Sequence, residues 1–415
     1  MGLPSRRSLF GENAAVLADT DYQLLLLAGL LPTLGSGIVS PVLDSLIDPF
    51  GASAATIGWM ISAFTAPAIV AIPLAGVLAD RYGRKVVLVT AITLFGLGGA
   101  AVAFTTDFRV ALGLRFIQGA GWAGMTPTIV TSIGDLYEPP AEETAQGIRF
   151  GVTGASGAVF PLLAGLLVAV AWQYPFLLYA MSFPIALGVL LWFDEPGTGR
   201  SSDDAAERSY IRALLSLGSQ PAVLAIVIAR SLYPVVFIGL MTYNSVIVIR
   251  LLGGTPVQAG LLATVAYAAF ALVATQTGRL VAILGSRLAL LLGANASLGL
   301  GFGVVLLAPN VAIAALGAIG IGLGIGILGT LYRSLITGAA PPDLRAGLVA
   351  LSEAGSRITA TATPVVMGTI IGATSAGLGL GGALRLAGLV VATVAAGGGM
   401  ILVLVARITG PVGTG

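Results

Sequence analysis

Apolar residues run along this chain in stretches of about twenty, separated by short polar loops, which is the pattern of helices that cross a bilayer. Twelve stretches can be read. The first half holds 22–46, 56–79, 86–105, 109–132, 148–170 and 175–193; the second holds 219–249, 256–280, 288–308, 311–334, 347–372 and 380–407. The strands of a membrane barrel would be about ten residues long with alternating polarity, and these runs are longer and do not alternate. The longest polar segment contains Asp194, Glu195, Arg200, Asp203, Asp204, Glu207, Arg208 and Arg212, and it divides the spans six and six. The pattern predicts an all-α polytopic membrane protein of two pseudo-symmetric six-helix bundles. A tail over 1–21 leads into a bundle over 22–193; a cytoplasmic linker over 194–218 leads into a second bundle over 219–407 and a tail over 408–415.

Composition sharpens that picture. Of 415 residues, 57% are hydrophobic and 9% charged, with a mean hydropathy of +0.99. A soluble protein carries about 25% charged residues, and so few polar side chains could not cover a soluble fold of this size. The basic residues, 19 Arg and Lys85, are distributed unevenly. If the N-terminus lies inside, the inner loops and helix ends hold fourteen of them, among them Arg6, Arg7, Arg81, Arg84, Lys85, Arg149 and Arg333. The outer side holds Arg109, Arg250 and Arg385, and Arg115, Arg230 and Arg357 fall within spans. Positive charge stays on the cytoplasmic side, so both termini are expected in the cytoplasm and the chain in the plasma membrane. The twin arginines Arg6-Arg7 are followed by Glu12, Asp19 and Asp21 rather than by the apolar core of an export signal, and fit inside-positive charge before the first span.

Two absences exclude chemistry. The chain has no Cys and no His, hence no disulfide, no thiolate nucleophile, no imidazole base and no Ser-His-Asp triad. No G-x-x-x-x-G-K-[ST] phosphate loop occurs, so no ATPase is expected. Gly119-x-Gly121-x-x-Gly124 and Gly324-x-Gly326-x-x-Gly329 match the dinucleotide fingerprint, but inside apolar spans rather than after a strand, so they read as helix contacts, as do Gly320-x-x-x-Gly324 and Gly322-x-x-x-Gly326. No cofactor, metal or nucleic-acid partner is expected, and the formal net charge of +2 says little about partners. A monomer in the lipid bilayer is the expected state.

One loop occurs twice. Gly76-Val77-Leu78-Ala79-Asp80-Arg81-Tyr82-Gly83-Arg84-Lys85 follows the second span, and Gly278-Arg279-Leu280-Val281-Ala282-Ile283-Leu284-Gly285-Ser286-Arg287 follows the eighth. Both Gly, the Leu and the closing base coincide. Pro139-Pro140 before the fifth span and Pro341-Pro342 before the eleventh correspond too. Duplicated six-helix halves are the architecture of many secondary transporters, in which two bundles rock about a central site. The first loop resembles the signature of the major facilitator superfamily between spans two and three. Arg115-Phe116-Ile117-Gln118-Gly119-Ala120-Gly121-Trp122-Ala123 is similar to the fourth-helix motif of that family's twelve-helix drug:proton antiporter group. The group's fifth-helix motif is kept in part: Gly147, Pro161 and Gly165 fit, whereas Ser156, Phe160 and Ala164 stand where Gly is usual. The resemblance implies alternating access and efflux of small amphipathic compounds against protons. It further implies a latch of Gly76, Asp80, Arg81, Gly83, Arg84 and Lys85, in which the Asp meets the start of the eleventh helix and the base pairs with an acid ending the fourth, here Asp135.

The ionisable residues within spans are the candidates for the substrate or proton route. Arg115, Arg230 and Arg357 either line a watery route or pair with carbonyls. Glu353 is the one acid well inside a span, with Arg357 at i+4 on the same face. It either exchanges a proton during transport or forms a permanent ion pair. Gln118, Tyr233, Tyr243, Asn244, Tyr267 and Gln276 are polar candidates for the cavity, and Asp44 is read as interfacial or as part of an outer gate. The excess of Arg over Glu keeps open a second reading, uptake or exchange of a small organic anion. A sensor without transport remains a weaker rival; an enzyme lacks a catalytic set, and a channel lacks a polar lining.

Overall fold

The computed structural model describes residues 16–138, 140–195 and 204–410. Arg6, Arg7, Arg200 and Asp203 lie outside them. The first half builds α1 (Thr20–Gly37), α2 (Trp59–Tyr82), α3 (Arg84–Phe104), α4 (Phe108–Leu136), α5 (Ala141–Val168) and α6 (Tyr174–Trp192). A linker helix follows, α7 (Asp204–Gly218). The second half builds α8 (Pro221–Leu251), α9 (Pro256–Leu284), α10 (Arg287–Leu307) and α11 (Val311–Ala339). Helix then runs from Arg345 to Thr409, broken at Gly379, whose φ of 66° and ψ of 168° no helix tolerates. Its legs are α12 (345–378) and α13 (380–409).

Nine helices among the described residues are apolar and long enough to cross a membrane, and the bent α1 together with its extension Ser40–Leu46 makes ten. The break at Gly379 turns the stretch Gly347–Thr409 into two crossings. The 29-residue α4, which carries Arg115 and Gln118, completes the twelve. With an even number of crossings, both ends lie on one face, the termini face.

Local chemistry explains the boundaries. Pro41 leads α1 into a tight 3₁₀ stretch, and Pro67 separates Trp59–Thr65 from Ala68–Tyr82, since proline has no N–H to donate to the preceding turn. Asp107, Ser286 and Asn310 cap the starts of α4, α10 and α11, and Thr255 with Gln258 forms a capping box on α9. In the duplicated loop, Gly83 and Gly285 end α2 and α9 with positive φ, 94° and 64°, but only Gly285, with ψ of 5°, is a left-handed cap; Gly83 has ψ of 153°. Two boundaries differ from the sequence pattern. The fifth span was expected from 148, yet α5 starts at Ala141 because Glu142 and Glu143 sit favourably in its positive first turn. Half of the predicted linker is helix: Tyr210 and Leu214 of α7 pack against α12 at Gly347.

Each half has its own buried core. One joins residues between Val16 and Phe193, including Leu25, Phe64, Phe95 and Tyr179; the other joins residues between Val223 and Ala406, including Leu298, Phe302, Tyr332 and Met367. Glycines bring helices together where a Cβ would strike backbone. A Cβ on Gly317 would lie 2.4 Å from the Gly301 carbonyl, and one on Gly121 2.5 Å from that of Ala91. The fingerprint-like glycines serve the same end: Gly322 and Gly326 face α9, and Gly324 faces α10.

Candidate functional site

The second half places a charged centre near its middle. Arg230 on α8, 4% exposed, donates from Nη2 to Glu353 Oε2 at 2.6 Å and from Nη1 to Ser356 Oγ at 3.2 Å. Arg357 donates from Nη2 to the other carboxylate oxygen, Oε1, at 3.0 Å. Glu353 thus bridges two guanidiniums, as the i+4 spacing with Arg357 anticipated; the partner on α8 was not visible in the sequence. The Glu353 and Arg357 side chains stay 35% and 28% exposed. Arg357 also reaches across to the first half, where its guanidinium lies 4.7 Å from the centroid of the Trp122 ring on α4. Trp122 Nε1 donates to the Pro32 carbonyl at 3.2 Å, which fixes the ring.

Arg115 does not join this centre, contrary to the expectation that it lines a route. It is 0% exposed and held within the first half. Its Nε donates to the Met60 carbonyl at 3.2 Å, Nη2 to the Gly35 carbonyl at 3.1 Å and Nη1 to Gln118 Oε1, and the guanidinium lies 4.4 Å from the Phe64 centroid. The physical reason is that its guanidinium finds an acceptor for each of its three nitrogens in α1, α2 and α4 and is wholly enclosed by them. Gln118 is sealed with it, also at 0%. Tyr243 and Asn244 are wholly buried too, with Tyr243 Oη donating to the Pro364 carbonyl at 3.4 Å and Asn244 Nδ2 to that of Ala259 at 2.7 Å. These four pack helices together rather than line open space.

Tyr267 does line a cavity. A space of about 740 Å³ opens between α5 and α9, walled by Phe150, Tyr267 and Phe270, by the glycines 147, 151, 154 and 157, and by Thr33, Thr153, Thr275 and Thr330. No charged side chain contributes to this lining. Thr33 follows Pro32, whose carbonyl accepts from Trp122, and Thr330 follows Gly329, against which Tyr233 packs, so α1 and α11 each contribute to the cavity wall and to the surroundings of the charged centre. Tyr233 stacks its ring 5.8 Å from Tyr332, whereas Gln276 is exposed and hydrogen-bonds its neighbour Thr275.

The hydrogen bonds and the ion pair that join the halves lie between the middle of the bundle and the face opposite the termini. Asp44, 6% exposed, accepts from Arg250 Nε at 2.8 Å, and its own N–H donates to Ser245 Oγ at 3.0 Å. Ser62 donates to the Thr361 carbonyl at 2.8 Å, Thr361 meets Thr65 at 3.0 Å, and Thr264 donates to the Ala158 carbonyl at 2.6 Å. The backbones also touch: a Cβ on Gly260 would sit 2.5 Å from the Pro161 carbonyl, and one on Gly165 2.6 Å from that of Pro256. Pro161 and Gly165, read from the fifth-helix motif, therefore sit where α5 meets α9. Pairing of Asp44 with Arg250 was invisible in the sequence because the two stand 206 positions apart.

At the termini face, Arg84 joins three acids. It donates to Asp80 at 2.6 Å and to Asp135 at 3.1 Å, and the backbone N–H groups of Arg84 and Lys85 donate to both oxygens of Glu195, at 2.5 and 2.9 Å. A carboxylate across the first N–H groups of α3 is the favoured charge for a helix start. Glu195 leaves no room for a Cβ on Gly83, since one would lie 2.8 Å from its carboxylate. Its place in the clamp was missed because it begins the polar linker, where acids are ordinary. Asp80 is paired with Arg84 and largely exposed; Arg81 stacks on Tyr82; Gly76 faces open space.

The model of the Major Facilitator Superfamily matches residues 25–251, more than half of the chain. The chain belongs to the major facilitator superfamily. Members of this superfamily are transporters rather than enzymes. Among the relatives, the bacillibactin exporter of Bacillus subtilis is 34% identical over 35% of this chain and 38% of its own length. The 4-hydroxybenzoate transporter of Pseudomonas aeruginosa is 31% identical over 45% of this chain and 43% of its own. The matched parts are thus less than half of those relatives. A bacterial homolog of the human lysosomal transporter Spinster, solved in an inward-facing, unoccupied conformation, superposes with a TM-score of 0.72 over 98% of this chain and 96% of its own at 18% identity, which establishes the superfamily fold. The family match ends with α8; in the second loop copy Ala282, Ile283 and Ser286 stand where Asp80, Arg81 and Arg84 stand in the first.

Proposed function

We propose that this chain is a secondary active transporter that works by alternating access and exports small amphipathic compounds in exchange for protons. The cavity between α5 and α9 carries this reading. Aromatic rings and hydroxyls without a charged wall suit a ligand with a large apolar body and few polar groups. With both termini in the cytoplasm, the seam at Asp44–Arg250 closes the outer side and the cavity faces the cytoplasm. The Arg84 cluster is then the cytoplasmic latch. Arg84 holds Asp80 and Asp135 on the first half, and the largely exposed Asp80 exchanges this partner for the start of α12 when the bundles tilt the other way. Relatives named as exporters support the direction.

Glu353 is the proton carrier in this reading. It is the one carboxylate held between Arg230 and Arg357, and it is still accessible. A proton on Glu353 would break both ion pairs at once and so bias the equilibrium between the two tilts of the bundles. The purified chain in proteoliposomes tests the reading. An imposed pH gradient is expected to drive accumulation of a hydrophobic dye at least about ten-fold faster in the wild type than in Glu353→Gln. Exchange of dye for dye, which moves no proton, should persist in that variant. Full gradient-driven transport by Glu353→Gln would exclude Glu353 as the carrier, and absence of gradient-driven transport in the wild type would refute proton coupling.

A further inference from the structure

The charges at the Glu353 centre do not balance. Arg230 and Glu353 make a complete pair at 2.6 Å, with Ser356 taking a further Arg230 donor. Arg357 is surplus: it gives one N–H to the same carboxylate, its buried Nε has no acceptor among the described residues, and its flat face rests on Trp122. An unbalanced cation inside a membrane is held at a cost and marks a function. The surroundings add positive charge. The Arg149 guanidinium stacks 4.4 Å from the centroid of Phe150, a cavity wall. At the centre itself two guanidiniums, Arg230 and Arg357, stand against one carboxylate, Glu353.

We propose that Arg357, seated on Trp122, is the binding site for an anionic head group of the substrate, a carboxylate. The apolar body of the same molecule lies in the cavity against Phe150, Tyr267 and Phe270. This rests on the reading of that cavity as the transport site, and it narrows the substrate from amphipathic compounds in general to amphipathic organic acids. A carboxylate matches the free donors of a guanidinium, Nε with one Nη, as a two-pronged acceptor. Glu353 keeps its bond to Arg230 when the ligand takes Arg357, so no second charge is left unpaired. An ammonium group is disfavoured on two counts: the Trp122 face that would hold it is occupied by Arg357, and the local charge repels it. Trp122 acts as a positioning residue, since its ring orients the guanidinium.

Calorimetric titration of the purified full chain with three probes that share one ring system tests the site: 2-naphthoate, 2-naphthamide and 2-naphthylmethylamine. Naphthoate is expected to bind at least about ten-fold more tightly than the amide, with the amine weakest, as charge-assisted hydrogen bonds predict. Arg357→Gln should bring naphthoate down to the affinity of the amide and leave the amide unchanged. Arg357→Lys should keep part of the preference, and Trp122→Leu should weaken naphthoate more than Trp122→Phe does. If Arg357→Gln does not yield folded protein, the Lys variant and the two Trp122 variants carry the same comparison. Tightest binding of the amine, an unchanged affinity for naphthoate in the Arg357 and Trp122 variants, or binding of none of the three probes would overturn the proposal. Export of neutral dyes against a pH gradient would survive each of those outcomes, so the two readings fail separately.

Discussion

Arg115→Leu will lose stability before it loses transport. The Arg115 guanidinium is wholly enclosed and donates to the Met60 and Gly35 carbonyls and to Gln118, binding α1, α2 and α4 into one unit. Hydrogen bonds to a charged group contribute about 1.5–3 kcal/mol each. Leucine would remove the donor from the Met60 carbonyl, leave the Gly35 carbonyl only Tyr179 Oη at 3.3 Å, and strand the Gln118 amide, whose Nε2 already has no partner among the described residues. A loss on the order of 3–5 kcal/mol follows, as for other broken buried networks. In detergent, thermal melting followed by size exclusion should show a markedly lower midpoint and less monodisperse protein, with or without substrate. Arg115→Lys should fall between, because an ammonium can rest on Phe64 but cannot fork to two carbonyls. An Arg115→Leu variant that melts like the wild type but fails to transport would return Arg115 to the substrate route.

The second large effect is expected at a glycine between the halves. Gly260→Val places a Cβ where the Pro161 carbonyl lies 2.5 Å away, and the reciprocal contact of Gly165 with Pro256 is just as close. Overpacking costs about 1–3 kcal/mol, which is about a five- to 150-fold change in an equilibrium. Here the strain falls on a contact between two separately buried cores, so each half still folds and the closed seam alone is disfavoured. The chain contains no Cys, so an introduced pair reports without background. Thr65→Cys with Thr361→Cys spans the seam where the hydroxyls meet at 3.0 Å. Oxidation should cross-link that pair readily in the otherwise wild-type chain and at least about five-fold less in Gly260→Val. An equal yield in both would show that the seam does not separate during the cycle, or that α5 and α9 yield without it.

Much of the fold was legible because its causes are local. The bilayer demands a run of about twenty apolar residues for each crossing and satisfied backbone throughout, and that demand is written in consecutive residues. The motif around Gly83 was legible for the same reason: one glycine with a positive φ must stand where α2 turns into α3, and Gly285 repeats it at α9. The site was less legible. Arg115, Arg230 and Arg357 look alike in sequence, as lone bases among apolar residues. The structure separates them, since Arg115 finds neutral acceptors on its own bundle while the other two meet Glu353.

The sequence by itself determined the membrane-crossing helices, the duplicated loop and the i+4 spacing of Glu353 and Arg357, because each depends on neighbours close along the chain. Only the tertiary structure decided which polar groups meet. Asp44 with Arg250, Glu195 with the start of α3, and Arg357 with Trp122 join residues far apart in the chain. A side chain's partner depends on how helices rotate and stack, and in a membrane that is set by close packing of glycines and by where buried charges find hydrogen-bond acceptors or counter-charges. Neither is recorded in the spacing of residues along one helix.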